Sequence, residues 1–196
     1  MRWHCYGFTQ LSVVLFTISC FAFSCTSRGQ TVTVVVQPDH SHIGFTAADN
    51  LHTVHGSFLI KEGKFILEPA THKISGSITV DVRSGNSGNH IRDQKMHKEI
   101  LESDRYPFSI FMADSLEGNI TEGESHIKVL GQLNLHGARH RIALDVLVHR
   151  ESNEISAKTN FVIPFVEWGM KDPSNFLFRL QKTVQMDIEI AGSVQP

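Results

Sequence analysis

The sequence is short of the residues that much of protein chemistry needs. Its cysteines are Cys5, Cys20 and Cys25, so residues 31–196 contain none. That part of the chain therefore holds no disulfide, no thiolate metal site and no cysteine nucleophile. Lysine and arginine form no block anywhere, and the formal net charge is only −2. Because a nucleic-acid backbone is bound by a basic stripe, we exclude nucleic acid as a partner.

Catalytic motifs are missing as well. The chain contains no G-x-S-x-G nucleophile elbow and no H-E-x-x-H metal motif. Ser41 lies between His40 and His42, but neighbouring residues on a strand point to opposite faces, so these three do not form a nucleophile–base pair. We therefore expect a protein that is not an enzyme.

The first 30 residues have the layout of a leader. Arg2 begins a short amino-terminal region, and residues 11–23 are largely apolar but form a run too short to span a bilayer comfortably. The run ends in the small-residue pattern Ala22-Phe23-Ser24, which is typical of a secretory signal peptide. We expect residues 1–30 to be this leader and residues 31–196 to be one domain exported to the periplasm. An uncleaved anchor is the alternative.

Cys25 adds a second reading of the leader. The apolar run continues almost to it, and the polar stretch of residues 26–30 follows. This resembles a bacterial lipoprotein cleavage site, in which an acylated Cys25 would associate the protein with a membrane. Cleavage after Gly29 is the ordinary competitor, and both readings leave the domain itself unchanged.

The domain has a hydrophobic pattern of period two. It is clearest in residues 73–82, 125–135, 141–149 and 184–190, where one face is apolar and the other polar. Strands with one buried and one wet face are typical of antiparallel sheets. Gly-containing turns such as Lys61-Glu62-Gly63 separate these segments, which favours an up-and-down barrel or a sandwich.

One segment breaks this rhythm. Residues 89–101 contain no proline and no glycine, and they place Met96 and Ile100 four residues apart. We predict one helix there, capped by Asn89 or Ser87, with Asp93 in the positively polarised first turn. The fold class is thus all-β, with one α-helix inserted between strands.

A barrel of about eight strands is either filled by side chains or just wide enough for one small ligand. A packed interior is the ordinary case, but any ligand held inside this barrel would have to be apolar. The predicted lining is Ile78, Val80, Phe108, Ile110, Leu133, Leu144, Val146, Phe161, Ile163, Met186 and Ile188.

Five motifs in order resemble the YceI-like family over residues 32–194. They are Asp39-His40-Ser41-His42-Ile43-Gly44-Phe45, His55-Gly56-Ser57-Phe58, Gly88-Asn89-His90-Ile91-Arg92-Asp93, Tyr106-Pro107-Phe108 and Gly131-Gln132-Leu133-Asn134-Leu135-His136-Gly137. Two features depart from the family pattern. Ser87-Gly88 replaces the usual Thr-Gly, and the loop at residues 166–173 is a subfamily feature to which the resemblance attaches no role.

The resemblance implies an extended, lipocalin-like antiparallel barrel that carries or senses a polyisoprenoid or quinone held lengthwise, with no other cofactor. The sequence keeps two further readings open. One is a periplasmic metal- or haem-binding protein that uses close histidine pairs such as His52 with His55. The other is a solid barrel that acts through its outer surface.

Four residues outside the wall are candidates for finer roles. Arg92 and Asp93 would hold a polar headgroup by charge-assisted hydrogen bonds, unless they only tie the helix to the barrel. His42 is a third headgroup candidate. Trp168, in a turn-rich loop, is either a lid over the ligand or part of ordinary loop packing. Unpaired strand edges or an exposed mouth would permit a homodimer.

Overall fold

The structure is a computed structural model, and it describes residues 31–69, 71–174 and 179–195. The predicted leader, including Cys25, lies outside the described residues. In the described ranges, no helix is both long enough and apolar enough to cross a membrane.

Nine β-strands make up most of the described chain. They are β1 (Val32–Val36), β2 (His42–Ala48), β3 (Thr53–Glu68), β4 (Lys73–Asn86), β5 (Phe108–Glu117), β6 (Gly123–Leu135), β7 (Ala138–Glu151), β8 (Glu154–Ile163) and β9 (Val184–Gln195). A 3₁₀ turn, Pro38–His40, separates β1 from β2. The one helical segment between strands is α1 (His90–Lys95), which continues as a π-helical turn, Met96–Ile100.

The strands form a single closed antiparallel barrel. From β2 to β9 each neighbour in the sheet is also a neighbour in sequence, and β2 pairs with β9. Strand β3 pairs with both β2 and β4. Strands β1 and β2 share one position, because each pairs with both β3 and β9. The predicted fold class, an antiparallel barrel with one inserted helix, is confirmed.

The interruption of the first strand has a local cause. Pro38 lacks a backbone N–H, so it cannot continue the ladder, and it begins the 3₁₀ turn instead. Ser41 then replaces the lost backbone hydrogen bonds with its side chain. Its hydroxyl donates to the Gln37 carbonyl at 2.8 Å and accepts from the Ala191 N–H at 2.9 Å. The strand therefore resumes in the same barrel position as β2.

The two ends of the barrel are built differently. The helix end carries residues 49–52, 87–107, 136–137, 164–174 and 179–183, which include α1. The hairpin end carries only the short β3–β4, β5–β6 and β7–β8 turns. Asn89 caps α1, as predicted, with its side-chain oxygen accepting from the Arg92 N–H at 3.1 Å.

Alternation along the strands puts one apolar face inside. Strand β6 shows the pattern most regularly, with Ile127, Val129, Leu133 and Leu135 buried between exposed or half-buried residues. In all four segments of predicted alternation, the apolar side chains predicted to face inward line the barrel interior. The turn predicted at Lys61-Glu62-Gly63 was wrong, because these residues lie within β3, where the pairing with β4 shifts register between Ile60 and Glu62. The two-residue β6–β7 turn uses His136 and Gly137, both with positive φ. A Cβ on Gly137 would meet the Tyr106 ring at 2.6 Å, so glycine is required there.

The inward face of β9 is testable with one matched pair of substitutions. Ile188→Glu should unfold the protein or destabilise it by several kcal/mol (~3 or more), because it places an unpaired carboxylate in the apolar interior. Gln185→Glu, on the outer face of the same strand, should change the free energy of unfolding by less than about 0.5 kcal/mol. Urea denaturation measures both, and equal tolerance of the two changes would contradict the register of β9.

Candidate functional site

The barrel encloses a cavity of about 320 Å³ that runs along its interior. This is within the usual size of small-molecule sites. Its lining comes from all nine strands and from residues of the helix end, and among the described residues it contains no charged residue and no histidine. The polar lining residues are Ser109, Ser156 and Thr159. The arrangement therefore accepts hydrocarbon and offers nothing to neutralise an ion.

Two of the three lining hydroxyls are already engaged with the wall. Ser109 donates to the Asn134 carbonyl at 3.2 Å, and Thr159 donates to the Asp145 carbonyl at 2.8 Å. These bonds satisfy the hydroxyls without a ligand, so they add little polarity to the interior.

Most of the predicted lining residues do surround the cavity. The nine that do so are Ile78, Val80, Leu133, Leu144, Val146, Phe161, Ile163, Met186 and Ile188. They come from five strands, β4 and β6 to β9, and together they cover much of the barrel circumference.

The placement of Phe108 and Ile110 inside the barrel was wrong. Both lie on the outer face of β5, whose inner face carries Ser109 and Phe111 instead. The Phe108 ring is covered from outside by the Lys61 ammonium, 4.2 Å from its centroid. Both faces of this strand are apolar in sequence, so alternation alone could not distinguish them.

The first barrel position contributes lining that the sequence reasoning missed. Val34, Val36, Ile43 and Phe45 all line the cavity. Their signal was present, since each pair is two residues apart, but the short strands on either side of Pro38 hid it. Phe111 was missed because both faces of β5 are apolar in sequence. Its ring occupies the space that a side chain at Gly131 would fill, because a Cβ there would lie 2.6 Å from that ring.

The helix end closes the cavity with side chains from two segments. Met96, Ile100 and Leu101 come from the helical segment, and Phe165 and Met170 come from the connection before β9. A salt bridge joins the two segments, with the Lys171 ammonium 2.7 Å from a Glu99 carboxylate oxygen. Lys171 holds the pKa of Glu99 below its usual value by this bond.

Trp168 lies behind this closure and does not line the cavity. Its ring stacks on His140, with centroids 3.9 Å apart and planes 7° from parallel. His140 Nε2 is buried without a hydrogen-bond partner, and desolvation lowers the pKa of this imidazole. The residues of this loop that reach the interior are Phe165 and Met170, so the position of Trp168 is that of loop packing rather than of a lid in contact with the cavity.

The three headgroup candidates lie outside the cavity lining. Arg92 is exposed and binds Ser87, with Nε 2.7 Å from its hydroxyl and Nη2 2.8 Å from its carbonyl. Asp93 accepts from the N–H and the hydroxyl of the same Ser87. His42 is exposed on the outer face of β2. Arg92 and Asp93 therefore tie the start of α1 to the end of β4, and none of the three contacts the interior.

The histidine pairs were the basis of the metal-binding alternative. Within residues 31–69, 71–174 and 179–195, no group of three His, Cys, Asp or Glu side chains is arranged to hold a metal ion.

An antiparallel barrel with a continuous apolar cavity defines a class of protein that encloses a hydrophobic ligand. The YceI-like domain matches residues 35–194, and the chain belongs to this family. A search of curated protein sequences finds no match.

Solved structures share the fold at low sequence identity. A polyisoprenoid binding domain from Saccharophagus degradans has a TM-score of 0.66 and 16% identity over 83% of this chain and 98% of its own. BcnA from Burkholderia cenocepacia has a TM-score of 0.66 and 15% identity over 80% of this chain and 98% of its own. The YceI protein of Campylobacter jejuni has a TM-score of 0.56 and 15% identity over 97% and 92%.

Arg92→Lys tests whether this arginine belongs to the scaffold. An ammonium cannot reproduce the two-point contact with Ser87, so the variant should lose about 1 kcal/mol of stability. Its affinity for an uncharged apolar probe such as N-phenyl-1-naphthylamine should be unchanged. Arg141→Lys, at an exposed position on the outer face of β7, is the matched control and should be silent. Weaker probe binding with unchanged thermal stability would instead assign Arg92 to the ligand.

His140 should make stability depend on pH. Its folded-state pKa is lowered by burial, so the unfolded chain binds the proton more readily. Stability should therefore be complete above the ordinary histidine pKa of about 6.5 and fall as the pH drops below it. His140→Phe keeps an aromatic ring against Trp168 and should flatten this dependence. Thermal denaturation between pH 8 and pH 5 compares the two proteins, and parallel curves would refute the role of His140.

Proposed function

We propose that this protein binds a long apolar lipid of the polyisoprenoid or quinone type inside its barrel and catalyses no reaction. The observation that carries the proposal is the cavity lining, which is aliphatic and aromatic along the barrel and, in the part of the chain that the structure describes, contains no ionisable side chain. A reaction centre would need an acid, a base, a nucleophile or a metal within reach of the ligand. A hydrocarbon chain needs only a dry, apolar wall.

The elongated ligand class fits the shape of the site. Lining residues occur near the hairpin end, such as Leu67 and Val148, and near the helix end, such as Met96 and Met170. An extended chain can follow this path, whereas a compact ring system would use only part of it. One structural neighbour is described as a polyisoprenoid binding domain, and it builds its barrel on the same fold.

Burial energetics favour slow release rather than a particular chain length. Each buried methylene contributes about 0.8 kcal/mol, so an isoprene unit nominally contributes roughly 3–4 kcal/mol. About eight units would then exceed the ~20 kcal/mol ceiling on real affinities, which means that ordering and extraction costs offset much of the gain. The ligand should still dissociate slowly enough to survive purification.

We extend the proposal to a place in the cell envelope, where the lipid would be transported, stored or sensed. The support is the leader layout of residues 1–30, with Cys25 as the residue that would carry an acyl anchor. The amino-terminal mass of the exported protein separates an acylated Cys25 from cleavage after Gly29. Of the two routes to a homodimer that the sequence suggests, an unpaired strand edge and an exposed barrel mouth, we propose the mouth, because β2 and β9 pair and leave no open seam between them.

Native mass spectrometry of the protein, expressed with its leader in a bacterial host, should show an adduct of several hundred daltons (roughly the mass of a lipid with many buried methylenes). Organic extraction should remove the adduct, and a chelator should not. A small increment that a chelator strips would instead support the metal-binding alternative. If the untreated protein already has the mass of the polypeptide alone, the result would favour a barrel that functions without a bound ligand.

A cavity-filling pair sharpens this test. Ala157 lines the cavity on β8, whereas Ala143 is exposed on the outside of β7. Ala157→Phe should reduce the fraction of protein that carries the adduct by severalfold, because the ring occupies ligand space. Ala143→Phe adds the same ring outside and should leave that fraction unchanged. Equal loading of both variants would place the adduct outside the barrel.

A further inference from the structure

The hairpin end holds a second, smaller cavity of about 60 Å³. It shares Val34, Leu67, Ile120 and Ile155 with the main cavity, so the two adjoin. The polar side chains of its lining are Glu68, His72, Lys73, Asn119 and Arg150. The apolar interior therefore meets polar groups at this end.

A hydrogen-bonded pair of side chains, His72 and Asn119, lies at this polar opening. His72 Nε2 lies 2.8 Å from Asn119 Oδ1, which links the β3–β4 turn to the β5–β6 turn. Both side chains are exposed, so a ligand group that arrives from the cavity can exchange with this bond or join it. Imidazole and amide each donate and accept hydrogen bonds, and both can serve a carbonyl or a hydroxyl.

The charge around this opening disfavours an anion. Residues 67–74, 116–124 and 150–155 form the hairpin end and contain two cationic and six anionic side chains, a net charge of −4. Each cation already faces a carboxylate. Lys73 is opposite Glu68 in the β3–β4 register, and Arg150 Nε lies 3.9 Å from a Glu122 oxygen.

Two of these six acidic residues form a close pair. Glu151 and Glu154 are direct cross-strand partners in the β7–β8 hairpin, where like charges lie close together. A phosphate placed at this mouth would be repelled by them. An uncharged headgroup would not.

The helix end offers no competing headgroup site in the part of the chain that the structure describes. Its contribution to the cavity lining is Met96, Ile100, Leu101, Phe165, Met170 and Leu180, all apolar. Arg92, the cation nearest the start of α1, is bound to Ser87 on the outside.

We propose that the small cavity at the hairpin end is a headgroup subsite selective for a neutral, hydrogen-bonding group, such as a prenyl alcohol or a quinone, over a prenyl phosphate. The tail then points toward the helix end, and His72 and Asn119 contact the headgroup. This inference rests on the proposed function, because it assumes a lipid in the main cavity.

The test compares ligands with one tail and different heads. Geranylgeraniol, geranylgeranyl diphosphate and the saturated hydrocarbon phytane each compete against the bound uncharged fluorescent probe N-phenyl-1-naphthylamine. The alcohol should bind at least about tenfold more tightly than the diphosphate at low ionic strength. Part of this difference in affinity reflects the water solubility of the diphosphate. The headgroup selectivity is therefore tested by how the difference in affinity responds to salt and to variants that remove charge.

Added salt should reduce the difference in affinity between the alcohol and the diphosphate, because it screens the acidic residues around the opening at the hairpin end. The double variant Glu151→Gln and Glu154→Gln should also reduce this difference in affinity severalfold. The control Asp104→Asn with Glu167→Gln removes the same charge from exposed positions at the helix end and should leave the difference in affinity unchanged. A second double variant, His72→Ala with Asn119→Ala, should weaken alcohol binding severalfold and leave phytane binding as it was.

Each contrary result has a distinct meaning. The headgroup selectivity is overturned if the diphosphate binds as tightly as the alcohol or more tightly. It is also overturned if the double variant Glu151→Gln and Glu154→Gln leaves the difference in affinity unchanged. Lipid binding itself stands in both cases. Weaker phytane binding in the His72 and Asn119 variant overturns the contact of this pair with the headgroup. If none of the three ligands displaces the probe, the proposed function itself fails.

Discussion

Closing eight antiparallel strand positions into one sheet sets the interior width, and the other features of this protein depend on that closure. A barrel of this size is on the border between a filled core and a ligand cavity. Here the inward side chains are mostly Val, Ile, Leu and Phe, and they leave about 320 Å³ unfilled. The wall is thus apolar because the fold requires a dry interior, and it is a binding surface because the side chains do not meet across it.

The polar residues in and beside the motifs that resemble the YceI-like family hold the barrel together, whereas apolar motif residues such as Ile43 and Leu133 line the cavity. Ser41 bridges the interrupted first strand to β9, and Ser87, Arg92 and Asp93 join α1 to β4. Tyr106 packs against the His136 ring at 4.6 Å. These residues hold the ends and the breaks, where backbone groups lack partners in a ladder. The apolar character of the cavity depends on side chains from all nine strands, and most of these lie outside the motifs.

Sequence reasoning succeeded for strands in which apolar and polar residues alternate clearly. Strands such as β6 and β9 have one apolar and one polar face, so their register followed from alternation. Strand β5 is apolar on both faces, and its outer face is covered by Lys61, a tertiary contact that alternation does not encode. The position of Trp168 likewise depends on a tertiary contact, the stacking of its ring on His140 of β7. Whether the barrel is hollow depends on side-chain volumes meeting across a closed sheet, which no linear pattern reports.

The seam where the barrel closes joins the first strand to the last. Val34 of β1 is paired with Val194 of β9, so this contact spans nearly the whole described chain. Loop closure over such a distance is entropically costly and comes late in folding. Until β9 is in place, the apolar faces of seven barrel positions remain an open, curved sheet with two unpaired edges. The molecule must therefore pass through a stage in which its ligand-binding surface is exposed to water, and a lipid that binds at that stage would act as a template for closure.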